Sequence, residues 1–328
     1  MIETRLTKLL GVRHPIVCGT MHLVTGPEMV AAVANAGALG VLYTSGHQTS
    51  AELRDDLRRV KALTDEPFAA NVNLFPTTRP ASIEEFIEIM HAEGVAVIET
   101  SGRNPREYAG RIKNGGAVFM HKVARVRDGV KAAGLGADVV EIVGYESGGH
   151  PGEEDITLLI QTQSLVRAVD VPVVPAGGVV DGRGLLAMLA LGAEGVCMGT
   201  RFMATKESPV HENVKQWLLH AGEADTVLVE RSLGNSMRVA KTTEALQVLR
   251  MEQEGADIDR LLTVIDGSLA REALIGGRLA TAGVVSVGQS AALIGEIPSV
   301  QELIDRIIAE AEAAYRKLGT ALRQEQQD

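Results

Sequence analysis

Eight short apolar runs recur along the first 200 residues, most of them followed by a helical pattern, and this alternation constrains the fold more than any other feature. The runs are 15–20, 39–44, 68–74, 95–102, 117–123, 138–144, 171–178 and 195–200. They are rich in Val, Ile and Ala with little polar alternation, which is how a strand buried on both faces reads. Amphipathic stretches lie between them, at 26–36, 50–63, 83–93, 125–133 and 182–191. Ser50-Ala51-Glu52 and Ser82-Ile83-Glu84-Glu85 carry helix-start signals, and Gly37, Gly94 and Gly134 fall where a left-handed C-cap costs no Cβ clash. Strand and helix alternating eight times predict an α/β chain closed into a TIM (β/α)8 barrel; periodicity alone leaves an open doubly wound sheet as the alternative.

After Arg201 the pattern changes. Helical patterns at 212–221, 244–254 and 299–323 come without a strand series. The expected organisation is a barrel over 1–205, a helical substrate-covering domain over 206–295, and a C-terminal helix over 296–328 that packs on the barrel. Apolar positions on that last helix offer a surface for a homodimer as well as for barrel packing.

Thirty-two Lys and Arg against 42 Asp and Glu leave a net charge of −10, which argues against a nucleic-acid footprint. No segment approaches the ~18 uninterrupted apolar residues of a membrane helix, and the first residues lack a signal-peptide run. Cys18 and Cys197 sit inside apolar runs without ligand spacing, and no HExxH motif is present, so neither a disulfide framework nor a catalytic metal is expected. The chain reads as soluble and cytoplasmic.

Two glycine clusters carry the first chemical signal. Pro175-Ala176-Gly177-Gly178 ends the seventh run before a helix starting near Asp181, and Met198-Gly199-Thr200-Arg201 ends the eighth. Loops after strands seven and eight of a barrel form its recurrent phosphate site, where backbone N–H groups and a helix N-terminus meet an anion. The same glycines would also serve tight βα turns. With no GxGxxG unit, a phosphate-bearing cofactor held by the barrel itself is favoured, and FMN fits best: one phosphate and an apolar ring.

The loop Gly144-Tyr145-Glu146-Ser147-Gly148-Gly149-His150 follows the sixth run, and His150 there can shuttle a proton or donate to an oxygen, or merely bond backbone. Lys122 ends the fifth run, where its ammonium could steady a reduced flavin or simply snorkel. Asn73 ends the third and offers an amide to a ring edge or a ribityl chain, or forms a turn. His22 follows the first run and His47 the second; both are placed to face the mouth and to bind substrate. The segment Pro76-Thr77-Thr78-Arg79-Pro80 reads as a lid, with Pro76 and Thr78 as substrate contacts.

Together these motifs resemble the nitronate monooxygenase (2-nitropropane dioxygenase) family of FMN proteins, which includes NADH:quinone reductases and enoyl-acyl-carrier-protein reductases. The resemblance runs from about His14 to Arg250. It rests on His14-Pro15-Ile16, Ala34-Asn35-Ala36-Gly37, His121-Lys122, Glu146-Ser147-Gly148-Gly149-His150, Ala176-Gly177-Gly178 with Asp181-Gly182, and Met198-Gly199-Thr200-Arg201-Phe202. Asn71-Val72-Asn73-Leu74-Phe75-Pro76, Ile98-Glu99-Thr100-Ser101-Gly102 and His150-Pro151-Gly152-Glu153 look closest to the NADH:quinone reductase branch.

The resemblance implies FMN at the barrel mouth. Thr20, Met21 and His22 would lie along the ring; Asn73, Lys122, Gly148 and Gly149 would touch ring or ribityl; Ala176, Gly177, Gly178, Gly199 and Thr200 would wrap the phosphate. His150 and Lys122 would be the catalytic groups. The chain departs from the family at Gly19-Thr20-Met21-His22-Leu23, where relatives show Gly-Gly-Met-Gln-Trp or Gly-Gly-Met, and at Asn73, which replaces a threonine. The expected activity is NAD(P)H:quinone reduction through FMN. Nitronate oxidation with O2 and enoyl-thioester reduction are the enzymatic alternatives, and a flavin- or phosphate-binding sensor or scaffold the non-enzymatic one.

Overall fold

A strand apolar on both faces needs a neighbour on each edge and a layer on each side, and a closed ring supplies all four. The computed structural model describes residues 2–75 and 82–324. In it β1 (Ile16–Cys18), β2 (Leu39–Leu42), β3 (Ala69–Asn73), β4 (Val97–Ser101), β5 (Val118–Val123), β6 (Val139–Val143), β7 (Val173–Ala176) and β8 (Val196–Met198) pair in chain order as a closed barrel. Every pairing is parallel, and β8 closes on β1 with Val17 opposite Cys197. All eight apolar runs are strands of this barrel, and closure removes the open-sheet alternative.

Alternation along the strands separates two cores. Val17, Leu39, Val97, Met120, Val139 and Val174 point inward, joined by Leu6 and Leu10 of the N-terminal helix Arg5–Leu10. Outward-facing Ile98, Phe119, Val140 and Ile142 pack under the surrounding helices with Leu57, Phe86 and Ile112. Leu6 presses against Gly195, just before β8, so the helix plugs the end where the strands begin. The opposite end is left open.

Helix starts follow side-chain chemistry closely. Thr49, one residue before the expected Ser50, caps Ser50–Leu63 by accepting from Glu52 N–H, and the Glu52 carboxylate bonds Thr49 N–H in return. Ser82 caps Ile83–Ala92 through Glu85 N–H. Gly37 and Gly94 take the left-handed conformation; the helix Val126–Gly134 ends at Gly134 as expected, but the left-handed glycine that follows it is Gly136. The helices Ala109–Asn114 and Leu158–Val166 complete units that the sequence pattern left blank.

The last helix, Val300–Gln324, lays Val300, Leu303, Ile304, Ile307 and Ala311 against Leu185, Met29 and Phe202 of the barrel. A Cβ at Gly182 would collide with the backbone of Ile307 and Ala311, so glycine there sets how closely this helix approaches.

The region expected to be wholly helical also holds an antiparallel hairpin, β9 (Thr226–Val229) with β10 (Met237–Ala240). Thr226–Val229 and Met237–Ala240 lie in no series of alternating strand and helix patterns, so nothing along the chain marks them as a pair. They are held by tertiary partners: Val229 and Val239 pack with Val248, Leu261 and Val264 in a small core of their own. No helix among the described residues is long and apolar enough to cross a membrane.

Candidate active site

Parallel strands deliver all their C-terminal ends to one face, and here that face opens into a cavity of about 1330 Å³. A pocket for one ligand usually measures roughly 300–1,000 Å³, so this one has room for a cofactor and a substrate together.

The strand alternation that points Val97, Met120 and Val139 inward also points inward the residues two positions on. These are Glu99, Lys122 and Glu141, with Asn71 of β3 beside them. Asn71 pairs with Glu99 across β3–β4, and Lys122 with Glu141 across β5–β6. The Lys122 ammonium lies 3.2 Å from Glu99 Oε1 and 3.1 Å from Glu141 Oε1. Glu99 Oε2 accepts from Thr20 Oγ1 at 2.9 Å and from Asn71 Nδ2 at 2.5 Å. Glu99 and Glu141 are wholly buried.

Burial opposes the Lys122 charge, but the Glu141 and Glu99 carboxylates outweigh it and hold the ammonium charged well above the ordinary lysine range. Burial likewise pushes the Glu141 carboxyl up to about 7, with Lys122 pulling down and Glu99 pushing up. Cys197 lies beside this group, and burial and Glu141 push its thiol up, so it is an inert thiol rather than a nucleophile. The cavity floor is therefore a cation held between two buried acidic side chains, Glu99 and Glu141.

The glycine clusters form the next wall. Gly177 (φ 119°) and Gly178 (φ 69°) adopt left-handed conformations, and a Cβ on Gly177 would strike the Ser147 hydroxyl. Among the described residues, nothing accepts a backbone hydrogen bond from Gly177, Gly178 or Gly199. The helix Gly182–Ala190 starts just beyond, capped by Asp181. Unclaimed N–H donors beside cavity-lining glycines make a cradle for an anion such as a phosphate. Thr200 stands alongside, its hydroxyl accepting from Gly288 N–H at 2.9 Å.

On the third side, the loop after β6 places Gly148, Gly149 and His150 on the cavity. Gly148 has no room for a side chain, because Val287 and Gly288 pack onto it. His150 is solvent-exposed at the open rim of the cavity; partial desolvation by the surrounding walls lowers its pKa and favours the neutral ring, although Glu153 works the other way. His150 Nε2 lies 3.2 Å from Asn235 Nδ2, a residue of the β9–β10 connection.

Thr20, Met21, His22, Asn73, Lys122, Ala176 and Thr200 also line this cavity, so the structure brings most of the expected set together. The His22 ring sits 5.2 Å from the Tyr43 ring, and burial followed by the Arg271 charge lowers its pKa. Asn73 spends its carbonyl oxygen on Phe75 N–H at 2.9 Å, the turn-forming role. His47 stands apart: it does not line the cavity, and its ring bonds Thr44 O at 2.9 Å and Asp56 Oδ2 at 2.8 Å. The helix Ser50–Leu63 claims that ring because Asp56 falls on its facing turn. Pro76 and Thr78 lie outside the described residues.

The sequence reading passed over Asn71, Glu99, Glu141 and Asn235 as site residues. For Glu99 and Glu141 a signal existed, a carboxylate placed directly after the apolar pairs Val97-Ile98 and Val139-Val140 inside a strand-forming run. For Asn235 there was none. Among the described residues no cluster of His, Cys, Asp and Glu is arranged for a metal ion.

A family model described as nitronate monooxygenase matches residues 3–310. A Rhodococcus jostii (strain RHA1) protein named (3aS,4S,5R,7aS)-5-hydroxy-7a-methyl-1-oxo-octahydro-1H-indene-4-carboxyl-CoA dehydrogenase is 34% identical, covering 97% of this chain and 98% of its own length. A Staphylococcus haemolyticus (strain JCSC1435) protein named "Probable nitronate monooxygenase" is 33% identical over 72% of this chain and 77% of its own. The solved structure of FabK from Thermotoga maritima superposes with a TM-score of 0.91 at 36% identity, covering 98% of this chain and 100% of that one.

Proposed function

The chain belongs to the nitronate monooxygenase family and is an oxidoreductase, and from that premise we propose that it is FMN-dependent and reduces a quinone with NAD(P)H. Bound FMN would supply a centre that takes hydride from NAD(P)H and returns two electrons to the acceptor. The unclaimed N–H groups of Gly177, Gly178 and Gly199, with Thr200, would hold its phosphate. Thr20, Met21 and Asn73 would lie against its ring and ribityl chain.

The observation that carries the choice of acceptor is the countered charge of Lys122. A nitronate is an anion and gains from a free cation; here the ammonium lies 3.2 and 3.1 Å from the buried acidic side chains of Glu99 and Glu141. A neutral acceptor such as a quinone avoids that repulsion. Lys122 then keeps the floor close to neutral instead of binding an anion. His150, neutral and facing the cavity, donates a hydrogen bond to the acceptor oxygen and can relay a proton to it.

A thioester-borne acceptor is the second reading. It is favoured by the likeness, over 97% of the chain, to a protein named as a carboxyl-CoA dehydrogenase.

Anaerobic stopped-flow absorbance tests these readings. The purified yellow protein is mixed separately with NADH, NADPH and propionate 3-nitronate, then with benzoquinone or an enoyl-CoA. Bleaching by a pyridine nucleotide and recovery with benzoquinone supports quinone reduction. Recovery only with the enoyl-CoA moves the protein to the thioester reading. Bleaching by nitronate alone overturns both, and a colourless preparation that takes up no FMN overturns the flavin assignment.

A further inference from the structure

The β9–β10 hairpin reaches back to the loop that carries His150 and clamps it on both sides. Gly149 N–H donates to Arg238 O at 3.1 Å, and Arg238 N–H to Gly149 O at 2.6 Å. Ser236 donates from its N–H and its hydroxyl to the two oxygens of Glu153, each at 2.6 Å. Between these pins Asn235 Nδ2 stands 3.2 Å from His150 Nε2 and 3.1 Å from Glu230 Oε2.

Glu230 decides which way round the Asn235 amide lies. Burial and Glu252 raise the Glu230 pKa while the Asn235 hydrogen bond lowers it; above that titration the carboxylate only accepts, so the amide atom beside it is the nitrogen. Glu230 is itself held firmly: it is buried, its N–H donates to Glu252 Oε2 at 3.0 Å, and its backbone takes the left-handed conformation at φ 62°. A non-glycine residue persists in that region only when its surroundings over-determine it. The amide nitrogen therefore directs its second hydrogen at His150 Nε2, which must accept. A neutral imidazole that accepts at Nε2 carries its proton on Nδ1.

We propose that Asn235, oriented by Glu230, is a positioning residue that locks neutral His150 in the Nδ1–H tautomer, so that the ring presents a donor from Nδ1 to an acceptor oxygen of the substrate. The use of that donor rests on the reading of His150 as the substrate-facing group; the tautomer does not. The charged groups around the pair are Glu153 on the His150 loop, Glu230 and Arg238 on the hairpin, and Glu252 on the helix Thr243–Gln253.

The test is long-range 1H–15N correlation of the flavin-loaded protein labelled with 15N-histidine, recorded above the His150 titration, with H150Q identifying its signals among the eight histidines. The expected result is a protonated Nδ1 and a bare Nε2; a protonated Nε2 overturns the proposal. In Asn235→Asp a carboxylate accepts from Nε2–H, so the tautomer should switch and the His150 midpoint rise by about one pH unit or more. An unchanged tautomer and midpoint in a folded N235D protein also overturn it. The wild-type spectrum needs no variant and decides the matter if N235D does not fold. Full turnover in H150Q would remove the substrate role while leaving the tautomer assignment to the spectrum.

Discussion

Lys122 and Glu141 face each other in the register of β5 and β6, and their 3.1 Å contact is half of an ammonium shared with Glu99 at 3.2 Å. Lys122→Met would leave two carboxylates buried without a counter-charge. Breaking a buried pair from one side costs about 3–5 kcal/mol, whereas neutral partners of similar shape cost far less. Urea unfolding at pH 8 should show K122M destabilised on that scale and K122M/E141Q destabilised less. A K122M protein as stable as wild type would contradict the shared-ammonium arrangement.

The raised Glu141 pKa gives a pH dependence of definite sign. Between the ordinary carboxylate value of 4.5 and the folded value of about 7, the native state holds a proton that the unfolded state has released. The contribution of Glu141 to stability is therefore fully present below 4.5 and falls as pH rises to about 7. Unfolding free energies of wild type minus Glu141→Gln, measured at pH 5, 6, 7 and 8, should decline across that window and then level. A difference that rises with pH would refute the assignment.

Gly177 combines a left-handed backbone with a Cβ position already taken by the Ser147 hydroxyl, which donates to Ala176 O at 2.7 Å. Gly177→Ala should displace Ser147 and move the N–H groups that would meet the cofactor phosphate. Strain of this kind costs about 1–3 kcal/mol. FMN titration of the apoprotein should give a Kd at least about tenfold weaker, a change of about 1.4 kcal/mol. Unaltered FMN affinity would remove this cradle from the phosphate site.

His22 and His47 should separate cleanly. His22→Gln alters a ring that lines the cavity, so acceptor KM or preference should shift by about tenfold with flavin content unchanged. His47→Ala removes the part-buried 2.8 Å contact to Asp56 and the bond to Thr44 O, and should lower unfolding free energy by about 1–3 kcal/mol with kcat/KM intact. Steady-state kinetics with benzoquinone alongside thermal melts tests both; a kinetic effect of H47A larger than that of H22Q would reverse the assignment.

Much of the architecture is legible along the chain because its causes are local. A run such as 138–144 reads as a strand buried on both faces, and eight of them alternating with capped helices leave few ways to hide their edges. The glycine pair 177–178 could be placed at a strand end for the same reason, since its role is a backbone conformation that neighbours in sequence reveal. His47 shows the limit: its position after β2 was read correctly, but which way its ring turned depended on Asp56, nearly two helix turns into the next element.

The charged floor and the clamp on His150 were settled by contacts between distant segments. Glu99, Lys122 and Glu141 lie on three successive strands, and they meet only because closure fixes a register in which one residue of slip would turn each of them outward. Asn235 reaches His150 across 85 residues, from a hairpin outside the alternating series of strands and helices. Backbone propensity and apolar pattern act within a few residues and can be read from sequence. Pairing of buried charge and choice of tautomer are long-range electrostatics, and those exist only once the barrel has closed.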